Sequence, residues 1–114
     1  MLNREEILSK ILLKQETLHI EEWEGDVIVS EMSGAMRDNW EQAIREKDTS
    51  GRLISPRAKL IIFTVVDEAG NRLFKDDDLE AIGKLSSASL EKICVVAMRL
   101  NGLGVDEINK EKKS

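Results

Sequence analysis

The chain has 114 residues, of which 41% are hydrophobic and 34% charged, and this composition suits one compact domain with a charged surface and excludes a second large core. The formal net charge of −5 argues against nucleic acid and anionic membrane surfaces as partners, because both are negatively charged. The single cysteine excludes an internal disulfide, and the first residues lack the layout of a signal peptide, so we expect a cytoplasmic protein.

The first predicted element is a helix from about Arg4 to Lys14. Asn3 and Glu6 have the spacing of a capping box, in which Asn3 is the N-cap. The apolar residues behind this cap share one helical face, and they are Ile7, Leu8, Ile11 and Leu12.

An antiparallel β-hairpin is predicted next. Apolar and polar residues alternate over Thr17–Trp23, Gly25 indicates a turn, and the β-branched run Val27–Val29 favours a second strand. Two strands alone are marginal in water, so we expect helices to cover one face of the hairpin.

Two further segments are predicted to be helical. Ser33 can cap a helix whose apolar residues recur at helical spacing, namely Met36, Trp40, Ala43 and Ile44. Pro56 suits the first turn of another helix, but the apolar run Leu60–Val66 that follows is rich in β-branched residues. Periodicity alone does not separate helix from buried strand in this run, and the proline favours the helix.

The last third of the chain is predicted to hold a turn and two helices. Asp67–Asn71 reads as a turn, and Asp77-Asp78-Leu79-Glu80 matches a capping box that opens a short helix through Leu79 and Ile82. Ser87 can cap a long helix that ends at Asn101-Gly102. Its apolar stripe follows helical spacing and consists of Leu90, Ile93, Cys94, Ala97 and Met98.

The fold class predicted from these elements is α+β. We expect a mostly helical single domain over residues 1–104, with a small antiparallel β-hairpin near the N-terminus. Residues 105–114 are predicted to form a charged, mobile tail, because they contain few apolar residues and many charged ones.

The sequence offers no catalytic, cofactor-binding or metal-binding constellation. His19 is the single histidine, and Cys94 lies on the apolar stripe of a helix, where a buried and inert thiol is the usual state. The consecutive carboxylates Asp76–Asp78 lack the alternating spacing of a calcium loop. We interpret them as acids at a helix N-terminus.

Trp23, Met32, Met36 and Trp40 have two possible roles. They can line an exposed groove that receives a partner helix, since methionine adapts to varied apolar shapes. They can equally be ordinary core residues. For Met36 and Trp40 the helical stripe favours the core.

Three blocks of the sequence follow one another in a recognisable order and spacing. They are Trp23-x-Gly25-x-Val27-x-Val29-x-x-x-Ser33-Gly34 with Arg37-Asp38-x-Trp40-Glu41, then Val66-Asp67-Glu68-x-Gly70-Asn71-Arg72-Leu73-Phe74-x-Asp76-x-Asp78, then Leu90 to Leu103. Together these blocks resemble the phage tail assembly chaperones of long-tailed phages and prophages. The family often has a basic residue after its second strand, where this chain has Ser30. That departure removes any contact made by the basic side chain.

The resemblance implies a mostly helical α+β fold and a chaperone function without catalytic residues or cofactors. The expected partner is the tape measure protein, which the chaperone binds during tail tube assembly in the cytoplasm of the bacterial host. The resemblance also implies absence from the finished virion, self-association into a homo-oligomer, and contact with the tail tube protein.

Two other protein classes remain open from the sequence. One is a small structural phage protein of the head–tail joining type, and the other is an acidic regulator that binds a host protein. Members of the resembled family are often made in two lengths by a ribosomal frameshift. Lys112-Lys113 can be encoded by a run of adenines, so this pair is the candidate frameshift position.

Overall fold

Five helices and three strands follow one another along residues 1–103, which are the residues that the computed structural model describes. They are α1 (Arg4–Leu8), β1 (Gln15–Ile20), β2 (Gly25–Ser30), α2 (Gly34–Ile44), α3 (Pro56–Thr64), β3 (Val65–Val66), α4 (Leu79–Gly83) and α5 (Ser87–Leu100). The predicted α+β class is therefore confirmed. The predicted tail 105–114 and the pair Lys112-Lys113 lie outside the described residues, so these predictions and the domain end at 104 stay predictions.

The predicted hairpin is confirmed, and a third strand extends it. β1 and β2 pair antiparallel, with Gln15 opposite Ser30 and Ile20 opposite Gly25. β3 pairs antiparallel with the other side of β2, so the sheet order is β1-β2-β3. The predicted first strand is too long at its end, because Glu21–Trp23 form a 3-10 turn. Glu24 then takes a left-handed φ of 51° and returns the chain into β2.

The predicted N-terminal helix is correct at its start and wrong in its length. The Asn3 Oδ1 accepts the Glu6 backbone N–H at 2.9 Å, as the cap predicts. The helix ends at Leu8 rather than Lys14, and it buries none of its residues. A short helix is marginal in water without a packed face, so the apolar periodicity alone does not sustain further turns.

The ambiguous run Leu60–Val66 contains both kinds of structure. α3 continues through Thr64 with Pro56 in its first turn, and the chain then switches to β3 at Val65. Most of α3 is buried, as are both residues of β3. A helix and a strand that are both buried have the same apolar composition, which explains why periodicity did not separate them.

The core is centred on α5, which packs against both the sheet and α3. α5 packs against β1, β2 and α3, and α3 packs in turn against α2 and α4. The side chains with the least exposure come from all of these layers. They include Ile20, Val29, Ile61, Val65, Ile82, Ile93 and Ala97.

α5 starts and ends within one residue of the prediction. Its N-cap is Ser86, without a side-chain hydrogen bond, so the prediction of Ser87 as the cap is wrong by one position. The predicted stop at Asn101-Gly102 is confirmed. Gly102 has a φ of 68°, and the Leu103 N–H donates to the Met98 carbonyl at 2.7 Å, which is the hydrogen-bond pattern of a Schellman motif.

The Asn101 side chain fastens the end of α5 to the connection between β2 and α2. Its Oδ1 accepts the backbone N–H of Met32 at 2.7 Å, and its Nδ2 donates to the carbonyl of Ala97 at 2.8 Å. The Asn101 carbonyl also accepts from Arg37 Nη1 at 3.0 Å. Asn101 thus joins its own helix to residues 32–37, which lie more than sixty positions earlier in the chain.

We predict that Asn101→Ala lowers the free energy of unfolding by about 1–3 kcal/mol, because it leaves the part-buried Met32 N–H without an acceptor. Chemical denaturation measures this change. Asn71→Ala is the matched control, since Asn71 lies exposed in a turn and should change the stability by less than about 0.5 kcal/mol. Equal effects of the two substitutions would contradict the role assigned to Asn101.

Candidate partner-binding groove

An apolar groove lies where the connection between β2 and α2 faces the end of α3 and the turn after β3. Its volume is about 360 Å³, which is in the range of about 300–1,000 Å³ found for ligand pockets. Its apolar lining consists of Leu13, Met32, Met36, Phe63 and Val66. The polar lining residues are Ser30, Glu31, Ser33, Asn71 and Arg72.

Local hydrogen bonds position the two methionines of the groove. Ser33 is the N-cap of α2, and its Oγ accepts the Met36 backbone N–H at 3.2 Å, as its capping role predicts. Met32 is anchored through its backbone by Asn101. The methionine backbones are thereby fixed. Met32 is buried in the core, whereas the partly buried Met36 side chain keeps the torsional freedom that allows an apolar surface to adapt.

Arg72 and Phe63 form the opposite wall. The Arg72 guanidinium lies 4.8 Å from the centre of the Phe63 ring, within the range of a cation–π contact. Arg72 also donates from Nε to the Ile62 carbonyl at 3.1 Å and from Nη2 to Asp76 at 2.7 Å. These two hydrogen bonds hold the guanidinium over the ring and fix the position of this wall.

The predicted turn Asp67–Asn71 is confirmed and closes one end of the groove. The Asp67 carboxylate accepts the backbone N–H groups of Ala69 at 2.9 Å and of Asn71 at 3.0 Å. Gly70 has a φ of 87°, a conformation that favours glycine. The turn presents Gly70 and Asn71 to the groove.

The groove brings together two of the four residues predicted to contact a partner. Met32 and Met36 line it, but Met32 is only 7% exposed and also belongs to the core. Trp40 is 8% exposed, belongs to the core and does not line the groove. Trp23 is 37% exposed, at the end of the 3-10 turn, and is not among the residues that line the groove. Contact between these side chains and a partner remains a prediction.

The sequence analysis missed three of the five apolar lining residues. Leu13 was assigned to a helix, and Phe63 and Val66 to a run whose structure stayed ambiguous. Each comes from a different part of the chain, and only the fold places them beside the methionines. The one available signal was Phe63, an aromatic residue in an otherwise aliphatic run.

His19 and Cys94 have separate partners in the structure. The His19 Nδ1 lies 2.7 Å from the Asp26 carboxylate in an exposed pair. The Cys94 Sγ lies 3.8 Å from the Arg57 carbonyl. Burial, assisted by the charge of Glu91, raises the pKa of the Cys94 thiol to about 11, so this thiol is protonated and a poor nucleophile at neutral pH.

The acidic run Asp76–Asp78 serves local structure. The Asp78 carboxylate accepts the backbone N–H of Lys75 at 2.8 Å, and Asp76 pairs with Arg72. The capping box therefore runs from Lys75 to Asp78, and the predicted box from Asp77 to Glu80 is wrong by two positions. These contacts agree with our interpretation of the run as acids at a helix start. Within residues 1–103, no three or more His, Cys, Asp or Glu side chains are grouped to hold a metal ion.

Comparison with known proteins identifies the family. The family model of phage tail assembly chaperones matches residues 7–113. The chain belongs to the phage tail assembly chaperone family. A solved structure of the tail assembly chaperone of bacteriophage HK97 shares the fold, with a TM-score of 0.61 and 19% sequence identity over 82% of this chain and 88% of that chain. No curated protein matches the sequence.

Membership of the tail assembly chaperone family bears on the expected partners. A tail assembly chaperone works with phage tail proteins in the host cell during assembly, and its family is not an enzyme class. No helix within residues 1–103 is long and apolar enough to cross a membrane. The match to the family model confirms the resemblance to tail assembly chaperones that the three sequence blocks indicated.

We predict that Trp40→Ala lowers the free energy of unfolding by about 3–5 kcal/mol, because removal of a buried indole leaves a cavity. Trp23→Ala is the control, since it removes the same side chain from a partly exposed position, and should cost less. Chemical denaturation measures both. A Trp40→Ala chain as stable as the parent would contradict the core position of Trp40.

Proposed function

We propose that this chain binds the tape measure protein during tail tube assembly in the cytoplasm of the bacterial host and leaves before the virion is complete. The proposal rests on the methionine-lined groove in a member of the tail assembly chaperone family. A tape measure protein is long and largely helical, so its apolar helix faces need cover before the tube surrounds them.

The groove suits an apolar helix face of variable sequence. Amphipathic helices dock in grooves through apolar residues spaced three and four positions apart. Methionine repacks around different side chains, so Met32 and Met36 can accept many such faces along one client. Arg72, held over the Phe63 ring by its hydrogen bonds, supplies a fixed wall against which the client helix packs.

Binding without catalysis is the chemistry that these residues support. The protonated Cys94 thiol is buried away from the exposed His19–Asp26 pair. Neither residue lines the groove. We therefore propose a non-enzymatic chaperone that acts by covering client surface and needs no cofactor.

We predict that co-expression with this chain raises the soluble fraction of the tape measure protein and that Met36→Glu abolishes the gain. The substitution places a charge in the apolar groove and should weaken binding at least about tenfold, or about 1.4 kcal/mol. Glutamate is also favourable at the third residue of a helix capped by serine, so the fold should survive, which circular dichroism can verify.

Val95→Glu is the matched control, because Val95 is 54% exposed on α5 and lies outside the groove. This variant should protect the tape measure protein as well as the parent does. Mass spectrometry of purified virions tests the two other protein classes, because it shows whether the chain is present in the finished particle. A chain that stays in the particle would instead be a structural protein of the head–tail joining type, and a chain that binds only a host protein would be a regulator.

We also propose self-association and contact with the tail tube protein as parts of the function. A domain that presents one apolar groove covers little of a long client, so several copies are needed along it. The copies of this chain that cover the tape measure protein must be displaced as the tail tube grows. The tail tube protein therefore has to contact the complex of this chain with the tape measure protein.

We predict a second, longer product made by a frameshift at Lys112-Lys113. Mass spectrometry of infected or induced cells should detect both products, and synonymous codons that interrupt the adenine run should remove the longer one only. A codon run that cannot slip, together with a single product, would contradict this prediction. The longer form would add a segment for recruiting the tape measure protein.

A further inference from the structure

The most exposed apolar surface of the described chain lies in residues 1–14, which we term the N-terminal arm. Its apolar side chains are Leu2, Ile7, Leu8, Ile11, Leu12 and Leu13, and each is exposed. Ile11 and Leu12 are 83% and 79% exposed. So many exposed apolar side chains within fourteen residues are typical of an interaction site in a soluble protein.

The arm is joined to the rim of the groove. The Lys14 N–H donates to the Glu31 carboxylate at 3.1 Å, and the Glu31 N–H donates to the Lys14 carbonyl at 2.7 Å. Leu13, the last apolar residue of the arm, lines the groove together with Met32 and Met36. The residues just before it, Ile11 and Leu12, are exposed to solvent, so the arm leaves the rest of the chain at this point.

We propose that the N-terminal arm of a second copy of this chain docks in the groove formed by Met32, Met36, Phe63 and Val66. The proposal deepens the proposed function, since it names the segment and the surface through which copies associate. The inference rests on the proposed function in one respect, namely that the tape measure protein binds in the same groove. The docked arm therefore covers the groove until a client helix displaces it.

The sequence of the arm matches what the groove accepts. Ile7, Leu8, Ile11 and Leu12 have the spacing of one helical face, although the helix ends at Leu8 in the isolated chain. A packed face is what a short helix lacks in water. Docking supplies that face, so the helix can extend towards Lys14 when the arm is bound.

Charge favours a second copy as the occupant. The arm has three basic and two acidic side chains, whereas the remaining hundred residues have fourteen basic and twenty acidic ones. A net positive arm is thus attracted to the net negative body of a neighbour. Its own groove is a poorer host, because the chain would have to reverse next to Leu13 to bring Ile7 and Leu8 back to it.

Light scattering during size-exclusion chromatography tests the role of the arm in the full chain. The parent should have a mass above that of one copy that increases with concentration. Ile11→Glu combined with Leu12→Glu should raise the dissociation constant at least tenfold and give single copies. Leu53→Glu combined with Val95→Glu adds the same charge at other exposed apolar positions and should behave as the parent. A parent that stays a single copy, or an arm variant that associates like the parent, would overturn the proposal.

Disulfide trapping tests which groove the arm enters. A chain with Leu12→Cys is mixed with an isotopically labelled chain with Met36→Cys and treated with oxidised glutathione. The native Cys94 is buried and should stay reduced. We expect disulfide-linked pairs of labelled and unlabelled chains, and far fewer when Val95→Cys replaces Met36→Cys. If a chain with both Leu12→Cys and Met36→Cys closes only on itself, the arm fills its own groove and the proposal is wrong.

The same preparations separate this inference from the proposed function. If trapped pairs form but the chain does not protect the tape measure protein, the proposed binding of the tape measure protein is wrong and the docking of the arm is supported. Protection of the tape measure protein without trapped pairs would refute the arm alone. If both hold, added client should reduce the yield of trapped pairs, because the two compete for one groove.

Discussion

The position of the groove depends on the hydrogen bonds of one asparagine, Asn101, at the end of α5. Asn101 holds the backbone of Met32 while its own carbonyl is bound by Arg37. The end of α5, the end of β2 and the start of α2 are thereby kept together. Because α5 also packs on α3, the groove wall formed by Met32 and Met36 is held at a fixed position relative to Phe63 and Val66.

A chaperone of this size has to divide its apolar residues between stability and binding. The core takes the branched aliphatic residues of α3, α5 and the sheet, whose side chains have few rotamers and pack in one way. The groove is lined in part by the partly buried Met36 and Phe63, and the arm contains residues that the rest of the chain does not bury. This division explains how a chain with one small core can keep apolar surface exposed and remain folded.

Fold and sequence diverge to different degrees in this family. The HK97 tail assembly chaperone shares the fold at 19% identity, so most contacts in the two proteins are made by different side chains. Cores tolerate such replacement when volume and apolar pattern are kept. The surface is under no such constraint, and an arm or groove of the kind seen in this chain can therefore serve one family member without serving another.

The sequence by itself determined the elements whose signals are local. Asn3 and Ser33 form caps, Asp67–Asn71 forms a turn, and Asn101-Gly102 ends a helix, because each depends on hydrogen bonds within a few residues. The order and spacing of the three blocks also sufficed for the family.

Only the tertiary structure decided the features that depend on distant contacts. The run Leu60–Val66 divides between helix and strand because Val65 and Val66 find a partner in β2. The N-terminal helix stops at Leu8 because nothing in the described chain packs against its apolar face. The groove joins Leu13, Met36 and Phe63, which lie far apart in sequence, so no local pattern could have brought them together.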